Sequence, residues 1–254
     1  MTDLLSDDFS TKISLKCKKN AGPVAVTIET ERGEGGALSS KIGTKFAYAK
    51  FNVDKAQATA TGGQVLETSL AVAPGIKVSF KANKGADLGI DYTSGNLYTT
   101  GVLDVKDMSK FSSTACMSLA SGIKVGGDAV YALSGKTGLT GLNIGGSYTS
   151  GPLFASVTSS NKFTAVDLGL MYKVNDTLTL ASLTTHSGEK ACTVGGVGGA
   201  YKAEFGTVKA KYADGGILSA SLVKDVAPKV TLTASGSVSV SDFSTFKYGL
   251  GIVM

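Results

Sequence analysis

Hydrophobic and polar residues alternate along almost the whole chain. In TKISLKCKK, Ile13, Leu15 and Cys17 fall on one face, with Lys12, Ser14, Lys16 and Lys18 on the other. In GIKVSFKAN, Ile76, Val78 and Phe80 oppose Lys77, Ser79 and Lys81. In PKVTLTASGSVSV, Val230, Leu232, Ala234, Val238 and Val240 oppose Lys229, Thr231, Thr233, Ser235, Ser237 and Ser239. A period of two is the pleat of a β-strand, whose successive side chains leave opposite faces. Turn signals such as NAGP, ATGG, TSGN, TSGP and ADGG separate the runs. Cutting the chain at them predicts about 19 strands of roughly 8–12 residues, a length that crosses a bilayer when tilted. The starts fall near residues 11, 23, 37, 50, 64, 75, 86, 96, 109, 123, 138, 152, 163, 176, 190, 207, 216, 228 and 245. No helical period follows Phe9, and MTDLLSDDF has room for about two helical turns at most.

So many strands with such short connections form a meander. Open sheets rarely exceed about ten strands without curling or splitting, so closure is the natural solution. A barrel this wide encloses a lumen that side chains cannot fill. Its apolar face must then point outward to lipid and its polar face inward to water. A soluble β-sandwich is the competing architecture; it would gather its apolar faces between two sheets and carry more charge outside. The expectation is an all-β fold, a transmembrane β-barrel of about 19 strands. It is an antiparallel meander closed by a parallel first and last pair, because the count is odd. Residues 1–10 form a short N-terminal segment, and 11–254 a single barrel domain.

Composition agrees. Charged residues make up 18% of the chain, against about 25% in soluble globular proteins. The mean hydropathy is nevertheless +0.15, and no window approaches the ~20 apolar residues of a spanning helix. The hydrophobicity is spread thinly along every strand. MTDLLSDDFS lacks a basic region, an apolar run and a small-residue cleavage site, so neither a secretory signal nor a transit peptide is expected. Cys17, Cys116 and Cys192 are too far apart for a metal motif and odd in number for a disulfide framework, as in a chain kept in a reducing compartment.

The feature with chemical content is the placement of lysine. Lys12, Lys16, Lys18, Lys77, Lys81, Lys209, Lys211, Lys229 and Lys247 all fall on the polar side of the alternation. In a barrel they line the lumen with positive charge, which concentrates anions in a confined aqueous space. Glu29, Glu67, Asp91, Asp104 and Asp167 fall on the same side and temper the field. The first strand and the sixteenth to nineteenth become neighbours on closure, which predicts one strongly basic wall.

Several stretches resemble the mitochondrial porin family, the voltage-dependent anion channels. VAPGIKVSFKANKG (residues 72–85) is similar to the family's GLK-containing strand, with Gly75, Ile76 and Lys77 in the motif positions. KISLKCKKN resembles its basic first strand, and TFKYGLGIVM its closing strand. The resemblance is carried by the two ends and by residues 70–95, and the family's nineteen strands agree with the count made from the turns. It implies a mitochondrial outer-membrane barrel. It also implies that Lys247, Gly249, Ile252 and Met254 match the sorting signal that mitochondrial barrels carry in their last strand, read by the barrel-assembly machinery. Asp54 stands where some members carry a carboxylate facing lipid; a lumen-facing Asp54 is the alternative. The chain departs from the family at its start. The N-terminal segment is shorter, and Leu5 stands where the family has a basic residue. The gating and nucleotide contacts attributed to that segment do not carry over.

Catalytic readings fail. His186 has no nucleophile to pair with in LTTHSGEK, SGKTG lacks the first glycine of a phosphate loop, and VGGVGGAYKAEFG opens no helix. No enzyme activity, cofactor, metal site or nucleic-acid partner is expected. The expected partners are the bilayer, small anionic metabolites in transit, the assembly machinery and other mitochondrial membrane proteins. The expected function is a weakly anion-selective passive pore. A protein-import channel of the same superfamily and a porin-derived structural subunit of a membrane complex are the alternatives. The import channel calls for a more acidic lumen.

Overall fold

The computed structural model describes residues 2–33, 35–119, 121–160, 162–188 and 190–254, apart from the side chains of residues 2, 3 and 190–194. The Cys192 side chain lies outside that set, and Cys17 and Cys116 are free thiols. A five-residue helix, α1 (Thr2–Ser6), comes first. Among the described residues nineteen strands follow. They are β1 (Ile13–Ala21), β2 (Val24–Arg32), β3 (Leu38–Tyr48), β4 (Phe51–Thr59), β5 (Gln64–Ala73), β6 (Ile76–Ala82) and β7 (Ala86–Ser94). Next come β8 (Leu97–Asp104), β9 (Lys110–Ser118), β10 (Ile123–Ala132), β11 (Gly138–Ser150), β12 (Leu153–Ser160) and β13 (Ala165–Lys173). The last are β14 (Leu178–Ser187), β15 (Lys190–Ala203), β16 (Gly206–Ala213), β17 (Ile217–Ala227), β18 (Val230–Ser239) and β19 (Asp242–Val253). The predicted starts lie within three residues of these, the widest gap being at β19, predicted from 245 and found from Asp242.

Each strand is antiparallel to the next, and β1 runs parallel to β19, so the sheet closes on itself. At the seam Ile13 lies opposite Leu250, Ser14 opposite Gly251, Leu15 opposite Ile252 and Lys16 opposite Val253. The ladder continues beyond the last strand residue. Met254 N–H donates to Lys16 O at 2.8 Å, and Lys18 N–H to Met254 O at 2.6 Å.

A wall one sheet thick has no packed core. Among the described hydrophobic residues only Val53, Ala165 and Ala181 are buried. Exposure instead runs opposite to that of a soluble protein. In β7, Leu88, Ile90 and Tyr92 are exposed, whereas Asp87 and Asp91 are half-buried and Gly89 is buried. In β13, Leu168, Leu170 and Tyr172 are exposed around a buried Gly169. The exposed apolar residues form a continuous outer band, far larger than a water-soluble monomer carries. Tyr48, Phe51, Tyr92, Tyr148, Tyr172 and Tyr201 of that face gather at one rim, and Phe111, Tyr131, Tyr212, Phe246 and Tyr248 at the other. Two aromatic girdles of this kind mark the interfaces of a membrane barrel.

The polar face is the concave one. A hollow spans four strands, with Lys16 and Lys18 of β1, Glu29 of β2, Lys41 of β3 and Lys55 of β4 around it. The outer position of Ile90, 50% exposed, makes a direct test possible. In lipid vesicles Ile90→Arg should lower unfolding stability by about 2–4 kcal/mol, the cost of a cation on the lipid face near mid-membrane. Thr100→Arg on the inner face of β8 should cost far less; equal losses in denaturant titrations would overturn the assignment of faces.

Candidate functional site

The site is the inner face. Register follows the alternation strand by strand: Lys16 of β1 lies opposite Glu29 of β2, which lies opposite Lys41 of β3. The ionic atoms meet, with Lys16 Nζ 3.4 Å and Lys41 Nζ 3.0 Å from the Glu29 carboxylate. Lys12 lies just before β1, on the same face, and its Nζ is 3.3 Å from Glu31. Lys18 points into the same hollow.

Lys77 and Lys81 are delivered by a tight turn. Pro74 pre-sets its first corner, and Gly75 takes a φ of +77° at the second. Any Cβ at position 75 would overlap the Thr93 carbonyl oxygen, so the motif glycine is a geometric requirement. From there β6 places Lys81 Nζ 3.0 Å from Glu67 and Lys77 opposite Asp91.

Asp54 faces inward. Lys45 of β3 faces two residues of β4, because the register shifts by one between Val53 and Lys55 on both sides of the strand. Asp54 is the extra residue of that bulge, which turns the following Lys55 to the same face as Asp54. Its carboxylate reaches Lys77 Nζ of β6 at 4.0 Å, across the inner face of β5. The lipid-facing placement that the resemblance implied is therefore corrected to the lumen-facing alternative: with Phe51 and Val53 outward, the alternation itself puts Asp54 inward.

Lys209 and Lys211 of β16 hold the N-terminal segment against the wall. Lys209 Nζ pairs with Asp8 at 2.6 Å, Lys211 Nζ donates to Leu5 O at 2.6 Å, and Lys211 also lies 4.4 Å from the centre of the Phe9 ring. Leu5 rests on Gly198 of β15, and the Ser10 carbonyl sits on Gly249 and accepts a hydrogen bond from Ser235 Oγ. These two lysines therefore anchor the segment rather than standing free in the lumen.

Lys229 is a second correction. It occupies the turn between β17 and β18, after Pro228, with a φ of +68°. That is the corner of a type II turn, outside the strand alternation that assigned it to the lumen. The inner faces of β17 and β18 carry Ser219, Ser221, Ser235 and Ser237 instead. The basic wall predicted at the seam thus reduces to β1, β16 and Lys247, and Glu29, Glu31 and Asp8 neutralise part of it.

The remaining acidic positions divide. Asp167 is inward and accepts from Thr185 at 2.7 Å and Ser160 at 3.3 Å. Asp104 turns into the loop after β8, accepting from the Lys106 and Asp107 amides and from Ser109 Oγ. At the rim between β13 and β14, a hydrogen bond from Lys173 holds the Asp176 carboxyl below its ordinary value. Inward groups missed in the sequence include Lys41, Lys45 and Lys55, and the Asp128 carboxylate bound by Asn143 Nδ2 at 3.0 and 3.2 Å. The alternation in SSKIGTKFAY carried Lys41 and Lys45 plainly.

Of the closing residues, Lys247 is inward opposite Ser237, Gly249 is buried beneath Ser10, and Ile252 is outward beside Leu15. Met254 completes the seam through its backbone. Since a Cβ at Gly249 would overlap the Ser10 carbonyl, Gly249→Asp should prevent closure. The check is the fraction of protein migrating as a compact, heat-modifiable band on unboiled gels: a wild-type fraction would refute the contact.

A family model described as eukaryotic porin matches residues 1–251. Among solved structures, a triple mutant of the Rh. blastica porin shares the fold with a TM-score of 0.54 at 14% identity, covering 95% of each chain. A five-substitution mutant and a double mutant of that porin give 0.54 at 13% and 0.53 at 12%, with the same coverage. No curated protein matches the chain.

Proposed function

The chain belongs to the eukaryotic porin family, and from that premise we propose that it is a weakly anion-selective, passive channel for small metabolites such as nucleotides and phosphate in the mitochondrial outer membrane. The observation that carries the reading is the inward placement of lysine on β1, β3, β4 and β6, on the polar inner face of the barrel. Several of these cations are paired, and pairs in water contribute only about 0–1 kcal/mol each. Their role is then to shape a potential rather than to hold the wall together. A lumen of mixed sign with an excess of lysine enriches anions modestly and excludes little. No catalysis and no cofactor enter the proposal.

One observation favours a second reading, a channel for basic polypeptide segments. Asp87 and Asp91 make the inner face of β7 acidic, and Asp128 and Asp167 add carboxylates on β10 and β13, where Lys124 and Lys173 share their faces. Reversal potentials of the reconstituted protein in planar bilayers under a salt gradient separate the two. The metabolite channel requires a modest anion preference, and cation preference or no conductance would sink it. Replacing both Lys77 and Lys81 with Glu should move the reversal potential toward cations, because each change also leaves Asp54 or Glu67 uncompensated. An unchanged potential would mean that β6 does not bear on the permeation path.

A further inference from the structure

Around Gly43 the inner wall carries more cations than its carboxylates match. Gly43 of β3 lies opposite Thr27 of β2 and Gln57 of β4, and Thr27 lies opposite Lys18 of β1. Period two along β3 brings Lys41 and Lys45 to that face, one on each side of Gly43. Lys55 joins them through the bulge at Asp54. The result is a hollow of about 490 Å³ lined by these four lysines and Lys16, with the carboxylates of Glu29 and Asp54 at its walls. Both carboxylates are engaged: Glu29 by Lys16 and Lys41, and Asp54 by Lys77 of β6. Glu67, opposite Lys55 in register, pairs with Lys81 instead. Lys18, Lys45 and Lys55 are left without an ion pair among the described residues.

The floor beneath these cations is bare. A Cβ at Gly43 would meet nothing closer than the Ala56 carbonyl oxygen, at 3.7 Å. Backbone packing therefore does not require glycine there, as it does at Gly75 and Gly249, and what the glycine leaves is space. Like charges gathered in one hollow repel one another unless a counter-ion lies between them. An ammonium is a point charge that takes phosphate oxygens from many directions. Lys18, Lys45 and Lys55 stand on β1, β3 and β4, about 14 Å across the sheet at three strand spacings, and the concave wall tilts them toward one another. A single orthophosphate cannot bridge such a row. A chain of phosphates with a charge on each unit can, and the Thr27 hydroxyl and Gln57 amide border its path.

We infer that the hollow is a discrete binding site for a short polyphosphate chain, held by Lys18, Lys45 and Lys55 over the Gly43 floor. Such a site rests on the proposed anion pathway, which brings the ligand to it; equilibrium binding is read without current, so either can fail alone. The whole protein, refolded in neutral detergent and shown to be a closed barrel on unboiled gels, is titrated calorimetrically with sodium tripolyphosphate at low salt. One tripolyphosphate should bind per chain, with orthophosphate roughly tenfold weaker because it meets fewer of the ammonium groups. Lys18→Gln, Lys45→Gln and Lys55→Gln together should weaken binding roughly tenfold, the loss of three charge-assisted contacts. Lys84→Gln, Lys136→Gln and Lys162→Gln remove the same charge from turns after β6, β10 and β12 and should leave the affinity unchanged. Gly43→Leu keeps the charge but fills the floor, and should weaken binding several-fold. ATP should bind as tripolyphosphate does, since both present three linked phosphates; binding of ATP alone would assign the hollow to a nucleoside and overturn the polyphosphate assignment. Equal losses in the two triple variants, full affinity in Gly43→Leu, or orthophosphate as tight as tripolyphosphate would each reduce the hollow to diffuse charge and overturn the site.

Discussion

A bilayer offers no hydrogen-bond partner to a strand edge, and the rest of this structure follows from that constraint. Nineteen strands can satisfy their backbones only by closing, and an odd count makes the closing pair parallel. Closure fixes the curvature, curvature separates a concave face from a convex one, and the sequence distributes its chemistry accordingly. Leucine, isoleucine and aromatic residues go outward; lysine, carboxylates, serine and threonine go inward. Glycine at 249 answers to the same constraint, since the inner surface of the seam must let the N-terminal segment pass at backbone distance.

The inner face is not a uniform basic lining. Its cations are concentrated on β1, β3, β4, β6 and β16, and much of that charge is met by Glu29, Glu31, Asp54, Glu67 and Asp8. Networks of this kind keep long side chains extended along the wall, which leaves the lumen open. Two of the nine lysines that the alternation assigns to the lumen, Lys209 and Lys211, are occupied with the N-terminal segment. Selectivity is then a property of the summed field and of no single residue.

Almost all of the architecture was legible in the chain, because a one-layer wall leaves period two uninterrupted by any other packing demand. β7 shows this most simply: Leu88, Ile90 and Tyr92 against Asp87, Gly89 and Asp91 give face, register and environment together. The site was less legible, and for identifiable reasons. The bulge at Asp54 adds a residue without any composition signal, so the alternation rule assigns the wrong face beyond it. Lys229 follows a proline, and the rule counts it as strand although Pro228 makes it a turn. Asp8, Leu5 and Phe9 lie about 200 residues from their partners on β16. No local pattern links segments so far apart. Pairings such as Lys77 with Asp54 cross an intervening strand and depend on curvature, which a sequence period does not encode.

The parallel seam has a kinetic consequence. Eighteen of the junctions join neighbours in sequence, each a hairpin that can form locally and early. The nineteenth brings Ile13 to Leu250, 237 residues away, and its loop-closure entropy exceeds that of a ten-residue hairpin by about 3 kcal/mol. High sequence separation of this kind makes closure the slow event. Until it occurs, β1 and β19 are two bare edges on an otherwise complete sheet, able to pair with any other strand they meet. The dangerous species in the life of this protein is therefore the finished but unclosed sheet, and the rate of one four-residue parallel ladder decides how long it persists.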